Sequence, residues 1–311
     1  QPASAPDGTV PVSPWALAPR PIGTVSIDEA VSAIVNPGRT YLRERLDVRL
    51  PGDTETLDDG LPIGLDPLGT SALGRALLEA RRHGVGFDEW SATVRLTGTL
   101  PPGDLSTAAL DAVIGEVQDF EAVLQAWSVD DSTTDEVDIA LRVDVPFGEG
   151  DPTAVQLMGK VVGVSGTRLA DTRYARPRAS QRLGLALRLA ALQVQHPDTD
   201  WSAVLVTRKA SDDDRTTPAI GLRFRGVGAE RAETARAFLV RGLQVLEWAL
   251  RDAVPLFERA SEAMAGANWG TADARLENDL KDDAVGFLWA DTSVDDLRDA
   301  PLCSGDPPGL G

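Results

Sequence analysis

GKVVGVSGTRLADTRYARPRASQRL, residues 159–183, carries the strongest pointer to the fold of this chain. Two apolar, strand-like runs lead into Arg168, Arg173, Arg176, Arg178 and Arg182, with Arg188 just beyond and one acid, Asp171, among them. Those seven side chains carry a local charge of +5 in a chain whose formal net charge is -18. A positive island on so acidic a background asks for an explanation in chemistry.

Working outward, VQLMGKVVGV (155–164) predicts one strand, RLADTRY (168–174) a second, and the segment 179–195 a helix. Upstream, VDIALRVDV (137–145) alternates with period two. Val137, Ile139, Leu141, Val143 and Val145 should face a core, and Asp138, Arg142 and Asp144 solvent. FGEGDP (147–152) reads as the turn between the first two strands. Downstream, strands are predicted over 201–207 and 219–225, and helices over 229–250 and 256–265. From Gly270 onward the pattern gives no clear period.

Nearer the start, SIDE (26–29) is a capping box, Ser26 with Glu29 three residues on, followed by apolar residues at helical spacing. Asn36-Pro37 should end that helix, and RTYLRERL (39–46) predicts a second. LGTSALGRALLEARRHG (68–84) carries Leu68, Leu73, Leu77 and Leu78 on one side, and a longer helix is predicted over 104–127. The whole is an α/β pattern, a mixed central sheet flanked by helices. Residues 1–24 hold six prolines and read as a linker from upstream domains, 25–300 as one domain, and 301–311 as a Gly/Pro-rich tail. The chain opens on Gln, so a fragment or processed product is expected.

Composition narrows the function classes. No apolar run reaches the roughly 18 residues a membrane span requires, so a soluble, cytoplasmic protein is expected. Cys303 is the single cysteine and His83 and His196 are the only histidines, too few for a disulfide framework or a zinc site. Neither a GxSxG elbow nor a GxxxxGK[ST] loop is present, so no hydrolase triad or nucleotide site is expected. The tryptophans read as core or interface anchors, the histidines as helix ends, and RKASDDDRTTPA (208–219) as a solvated loop joining two strands.

The strand, turn, strand and helix order at 155–195 is the layout that PD-(D/E)XK nucleases use to hold Mg²⁺. Their first strand carries an acid after a glycine, and the second Asp or Glu, any residue, then Lys. Here the first reads Gly159-Lys160-Val161-Val162-Gly163, apolar where the acid belongs. The second reads Asp171-Thr172-Arg173, with arginine in the lysine position. A guanidinium stays charged far above neutral pH and is a poor proton shuttle. One carboxylate cannot build a two-metal site, so the catalytic site reads as degenerate.

VSIDEAVSAIVNPGRTYLRERLDVRL (25–50), LDPLGTSALGRALLEARRHG (65–84), LTGTLPPGDLSTAALDAVIGE (96–116) and LADTRYARPRASQRLGLALRLAAL (169–192) together resemble the C-terminal, nuclease-like region of RecC, the gamma subunit of exodeoxyribonuclease V. The LPPG motif and the helix after Arg176-Pro177 carry the distinction from RecB and AddB nuclease domains. The resemblance implies a PD-(D/E)XK-like fold without catalytic, metal-binding or cofactor-binding residues, ATP and Mg²⁺ being expected on partner subunits. It further implies docking to RecB-like and RecD-like subunits. The expected work is parting duplex DNA ends and guiding the unwound single strands, in double-strand break repair by homologous recombination. The candidate DNA-binding residues are Arg168, Arg173, Arg176, Arg178 and Arg182. Two alternatives stay open: an active Mg²⁺-dependent nuclease drawing on Asp138, Asp144 or Asp171, and an interaction module that never touches DNA.

Overall fold

The structure is a computed structural model, and it describes residues 17–18, 20–50, 67–98, 100, 104–129, 135–147, 151–209, 217–265 and 271–289. The start of the predicted linker, the tail with Cys303, Trp15, Trp269 and most of the 208–219 loop lie outside the described residues.

Local sequence chemistry sets the first elements. Strand β1 (Thr24–Ser26) runs into helix α1 (Ile27–Val35) through the expected capping box. Ser26 Oγ accepts from the Glu29 amide at 3.1 Å, and the Ser26 amide donates to Glu29 Oε2 at 2.7 Å. Two of the four N–H groups that a helix start leaves unpaired are thereby satisfied or excluded from water competition. Asn36 closes α1 and opens α2 (Pro37–Arg45), its Oδ1 accepting from the Arg39 amide at 2.9 Å. Pro37 sits at the first helical position, where its missing N–H has no partner to lose.

The remaining elements are α3 (Pro67–Arg82), α4 (Phe87–Arg95), α5 (Asp104–Ala126), β2 (Asp135–Val145), β3 (Thr153–Ser165), β4 (Arg168–Arg173), α6 (Ala179–Gln195), β5 (Ser202–Thr207), β6 (Ala219–Leu222), α7 (Ala229–Ala249), α8 (Glu258–Ala265), α9 (Ala272–Asp279) and α10 (Asp283–Trp289). Strand order is β1-β3-β4-β5-β6, with β2 pairing β3 off this path. Parallel and antiparallel pairs both occur, so the sheet is mixed and helix-flanked as the pattern predicts.

The chain divides into two compact units, one of residues 1–51, 140–158 and 237–311, the other of 52–139 and 159–236. In the first, β1 runs parallel to the opening half of β3, Thr24 opposite Gln156 and Ser26 opposite Met158. Tyr41 and Leu42 of α2 are buried with Ala253, Ala284 and Leu288. A neighbouring cluster joins Phe257, Ala260, Ala263, Ala272, Leu276 and Val285. Asp279 there accepts from the Arg259 and Ala260 amides at 2.9 and 2.8 Å, satisfying the start of α8 from the end of α9. Burial pushes its carboxyl above the usual range, and those two amides oppose the shift. Helices α9 and α10 occupy the region where the sequence shows no clear period.

In the second unit, β4 pairs antiparallel with the end of β3, Val164 opposite Leu169, and parallel with β5 from Arg168 opposite Ser202 to Arg173 opposite Thr207. Strand β6 completes it, antiparallel to β5. The close approach of β3 to β4 needs Gly163: its φ is +85°, and a Cβ there would stand 2.5 Å from the Ala170 carbonyl oxygen. Leu110, Val113, Val117 and Phe120 follow one face of α5 and bury against Leu77, Leu78, Trp90, Val94, Val204 and Val206. On β2 the predicted alternation holds, with Ile139, Val143 and Val145 buried and Asp138, Arg142 and Asp144 exposed.

Three differences from expectation have physical causes. Helix α4 starts at Gly86 with no side-chain cap and buries only Trp90 and Val94, too sparse a signal to read. Strand β6 stops at Leu222 because its ladder partner there, Ala203, lies at the start of β5, and Arg223 beyond it pairs through its side chain with Asp200. Arg208, expected in a solvated loop, is buried by an ion pair described below.

Candidate nucleic-acid interface

The second unit carries a cleft of about 1520 Å³ between α3, α5, the end of β4, the start of α6 and the residues after β5. Its floor is a buried polar network. Arg208 grips Glu116 with two parallel bonds, Nε to Oε1 at 2.7 Å and Nη2 to Oε2 at 2.8 Å. Its Nη1 donates to Ser71 Oγ at 2.5 Å. Tyr174 Oη donates to the same Glu116 Oε2 at 2.9 Å. Each polar atom named here has a partner, which is the condition for a buried charge pair to hold rather than weaken a fold.

Tyr174 is walled on several sides. The Arg208 guanidinium lies 5.0 Å from its ring centre, and Phe120 meets it edge-on at 5.7 Å. Gly74 of α3 abuts the ring so closely that a Cβ would stand 1.9 Å from it. Burial, then the Glu116 carboxylate, pushes the Tyr174 phenol far above its ordinary value.

Around this floor the walls turn basic. Arg75 and Arg82 project from α3, and Arg173, Arg176 and Arg178 follow the end of β4. With Arg208 and Lys209 the lining holds seven basic side chains against four acids, Glu79, Asp111, Glu116 and Asp119. Three of those acids are engaged: Glu116 as above, Asp119 with Lys209 at 3.1 Å, and Glu79 with Arg82 at 3.2 Å. Arg82 also donates to Thr172 Oγ1 at 3.4 Å. Among the described residues neither Arg75 nor Arg178 has an ion-pair partner. The start of α6 adds its own partial positive charge at Ser180 and Gln181.

Three of the five candidate arginines, Arg173, Arg176 and Arg178, therefore share this cleft, and two do not. Arg168 stands at the opposite end of β4, where its Nη1 donates to the Trp127 carbonyl just past the end of α5. Arg182 is half-buried on α6 and does not line the cleft. Arg75, Arg82, Arg208 and Lys209 escaped the sequence reading because they come from segments 100 residues apart or sat in a loop read as solvated. The only local signal for Arg208 is its position directly after an apolar strand.

The motif positions lie beside the cleft. Arg173 Nε donates to both oxygens of Asp171, at 2.9 and 3.0 Å, so strand β4 supplies the acid's counter-charge. On β3, Val161 is buried and Val162 exposed, so Val162 is the side chain that faces outward there. The antiparallel register pairs Val164 with Leu169 and Ser165 with Arg168, and Gly163 then lies against the Ala170 carbonyl, next to Asp171 in the chain. Lys160 turns instead to Glu136 at 2.8 Å, a bond that raises its ammonium pKa. No group of three or more His, Cys, Asp or Glu side chains among the described residues converges as metal ligands would.

The sequence profile of the RecC C-terminal domain matches residues 22–269. The chain belongs to that family. Curated RecC relatives agree: the RecBCD enzyme subunit RecC of Mycobacterium tuberculosis is 27% identical over 188 residues, 60% of this chain and 16% of that protein. The RecC subunit of Mycolicibacterium smegmatis is 28% identical over 243 residues, 78% of this chain and 21% of that protein. The chain thus spans about a fifth or less of the RecC proteins it matches. A solved structure titled "Crystal structure of SSO0001" overlaps at a TM-score of 0.19 and 12% identity, over 66% of this chain and 84% of that one, too slight a likeness to argue from. The RecC match covers both the α1–α2 region and the cleft-forming elements, while α9 and α10 lie beyond it. Among the described residues no helix is long and apolar enough to cross a membrane.

Proposed function

We propose that this RecC-type domain is a noncatalytic scaffold and DNA-handling element of a RecBCD-type helicase–nuclease, working in double-strand break repair. Its fold is read as a PD-(D/E)XK nuclease domain that has lost its chemistry. Support comes from the order β2, β3, β4, α6, β5, with Val162 at the outward position of the first motif strand. Further support is the Asp171 carboxylate, whose partner is a guanidinium two residues along rather than a lysine free to act on water. In this reading RecB-like and RecD-like subunits dock on the domain and carry ATP and Mg²⁺, while the domain contributes rigid geometry and phosphate contacts.

The observation that carries the DNA-handling half is the cleft: seven basic side chains against its four lining acids and Asp171, on a chain of net charge -18. Guanidinium forks suit phosphate oxygens, and opposite charge in a concave wall concentrates a polyanion that the rest of the surface repels. The test is duplex-end binding by the assembled complex with Arg173→Ala and Arg176→Ala together. Affinity should fall, and the dependence of log K on log salt should flatten by about 1.8, the counter-ion release of two phosphate contacts. Unchanged affinity and slope would remove these arginines from the DNA path. Mg²⁺-dependent cleavage of linear DNA that Asp171→Ala abolishes would replace the scaffold reading with an active nuclease.

A further inference from the structure

We infer that the cleft takes one nucleic-acid strand by its phosphate backbone alone and is blind to the bases. The inference rests on the DNA-handling reading above and adds what the site recognises.

Proteins that hold single strands combine a positive groove with aromatic faces on which bases stack, and the stacking is what makes the bases matter. Among the described residues the groove is present and the platform is absent from the lining, whose only described aromatics are Phe120 and Tyr174, 1% and 5% exposed. Tyr174 cannot be recruited, because its hydroxyl is spent on Glu116, one side faces Arg208, and Gly74 presses on its edge. Base edges fare no better at Gln181, whose carbonyl oxygen accepts from the Arg178 amide at 3.0 Å. What faces the cleft instead is cationic: exposed Arg75 and Arg178, with Arg173 and Arg176 between them along the wall. Such a wall recognises charge and its spacing along a sugar–phosphate chain.

The arrangement fits a strand in transit. A base-stacking site holds a strand in steps set by stacking strength, whereas charge contacts let it slide from one phosphate to the next.

The experiment places a photoreactive residue at Ala112, an exposed position on the α5 wall, in the full subunit within its assembled complex. Crosslinking is compared between a mixed-sequence single strand and an abasic strand of equal length and charge. Yields should agree within about twofold, because the phosphates are the same. Both should be lost with Arg75→Glu and Arg178→Glu together, while size-exclusion chromatography shows the complex still assembled. An abasic yield lower by about fivefold or more would show base stacking and overturn the inference. Displacement of the strand by polyglutamate at a concentration lower by about tenfold or more than an abasic strand of equal charge requires would overturn it too, marking the cleft as a dock for an acidic protein segment. No crosslink from either strand, in a complex that still binds forked DNA, would sink this inference and leave the DNA-handling reading standing. A complex that binds no DNA would sink both.

Discussion

Arginine stands at each end of β4, and the two ends use it differently. At the start of the strand Arg168 closes on the Trp127 carbonyl, where a cation also complements the negative end of the α5 dipole. At the other end Arg173 neutralises Asp171, and the chain then leaves the sheet with Arg176 and Arg178 toward the cleft. Beneath them Arg208, at the same end of the neighbouring parallel strand, is buried against Glu116. Residue type alone does not separate these roles. A guanidinium that finds a buried carboxylate, as Arg208 does, becomes structure, whereas the exposed Arg178, with no ion-pair partner among the described residues, is left to meet a ligand.

That contrast is broken most forcefully at Arg208. Arg208→Ala strands the Glu116 charge and the Tyr174 hydroxyl together, and chemical denaturation should show a loss of about 3 kcal/mol or more. Arg168→Ala, at the half-buried end, should cost about 1 kcal/mol in the same measurement. Equal losses would mean that the two ends are not distinct. Gly74→Ala probes the cleft floor between these extremes. A methyl 1.9 Å from the Tyr174 ring must push aside a side chain fixed at its hydroxyl, at a cost of about 1–3 kcal/mol, with Gly84→Ala no control because its φ is +81°.

The gentlest probe is the ionisation of the phenols, which adds no pH dependence to stability near neutral pH. The chain holds two tyrosines, and burial raises the pKa of both Tyr41 and Tyr174. A folded pKa above the unfolded one gives stability that is complete below the unfolded value, about 10, and is lost as pH climbs beyond it toward the folded value. Ultraviolet titration of the native chain should therefore show neither phenol ionising at the ordinary midpoint, and Tyr174→Phe should lessen the alkaline loss of stability. A native tyrosine titrating near its ordinary value would separate the Glu116 network from the rest of the core.

How much of this was legible in the sequence follows the range of the interactions. The capping box at Ser26 and Glu29, the break at Asn36-Pro37 and the alternation on β2 are contained within a few residues, and each reads correctly. Helices α9 and α10 do not read, because their few buried positions, such as Leu276 and Leu288, find partners on distant elements. The arginine-rich stretch announces half of the cleft. The other half comes from α3 and from the residue after β5, and no spacing rule joins Arg75 to Arg178. Arg208 shows the limit most clearly: its sequence surroundings are those of a loop, and only the carboxylate of Glu116, 92 residues away, makes burial tolerable.

The short-range pairing of Asp171 with Arg173 bears on control. An inorganic counter-ion exchanges with the solution, so its occupancy follows supply, chelation and competing metals. A guanidinium anchored to the same strand cannot be diluted away or stripped by a chelator. At this point of the sheet the counter-charge of Asp171 is supplied from two residues along the same strand, so the pair forms wherever β4 forms.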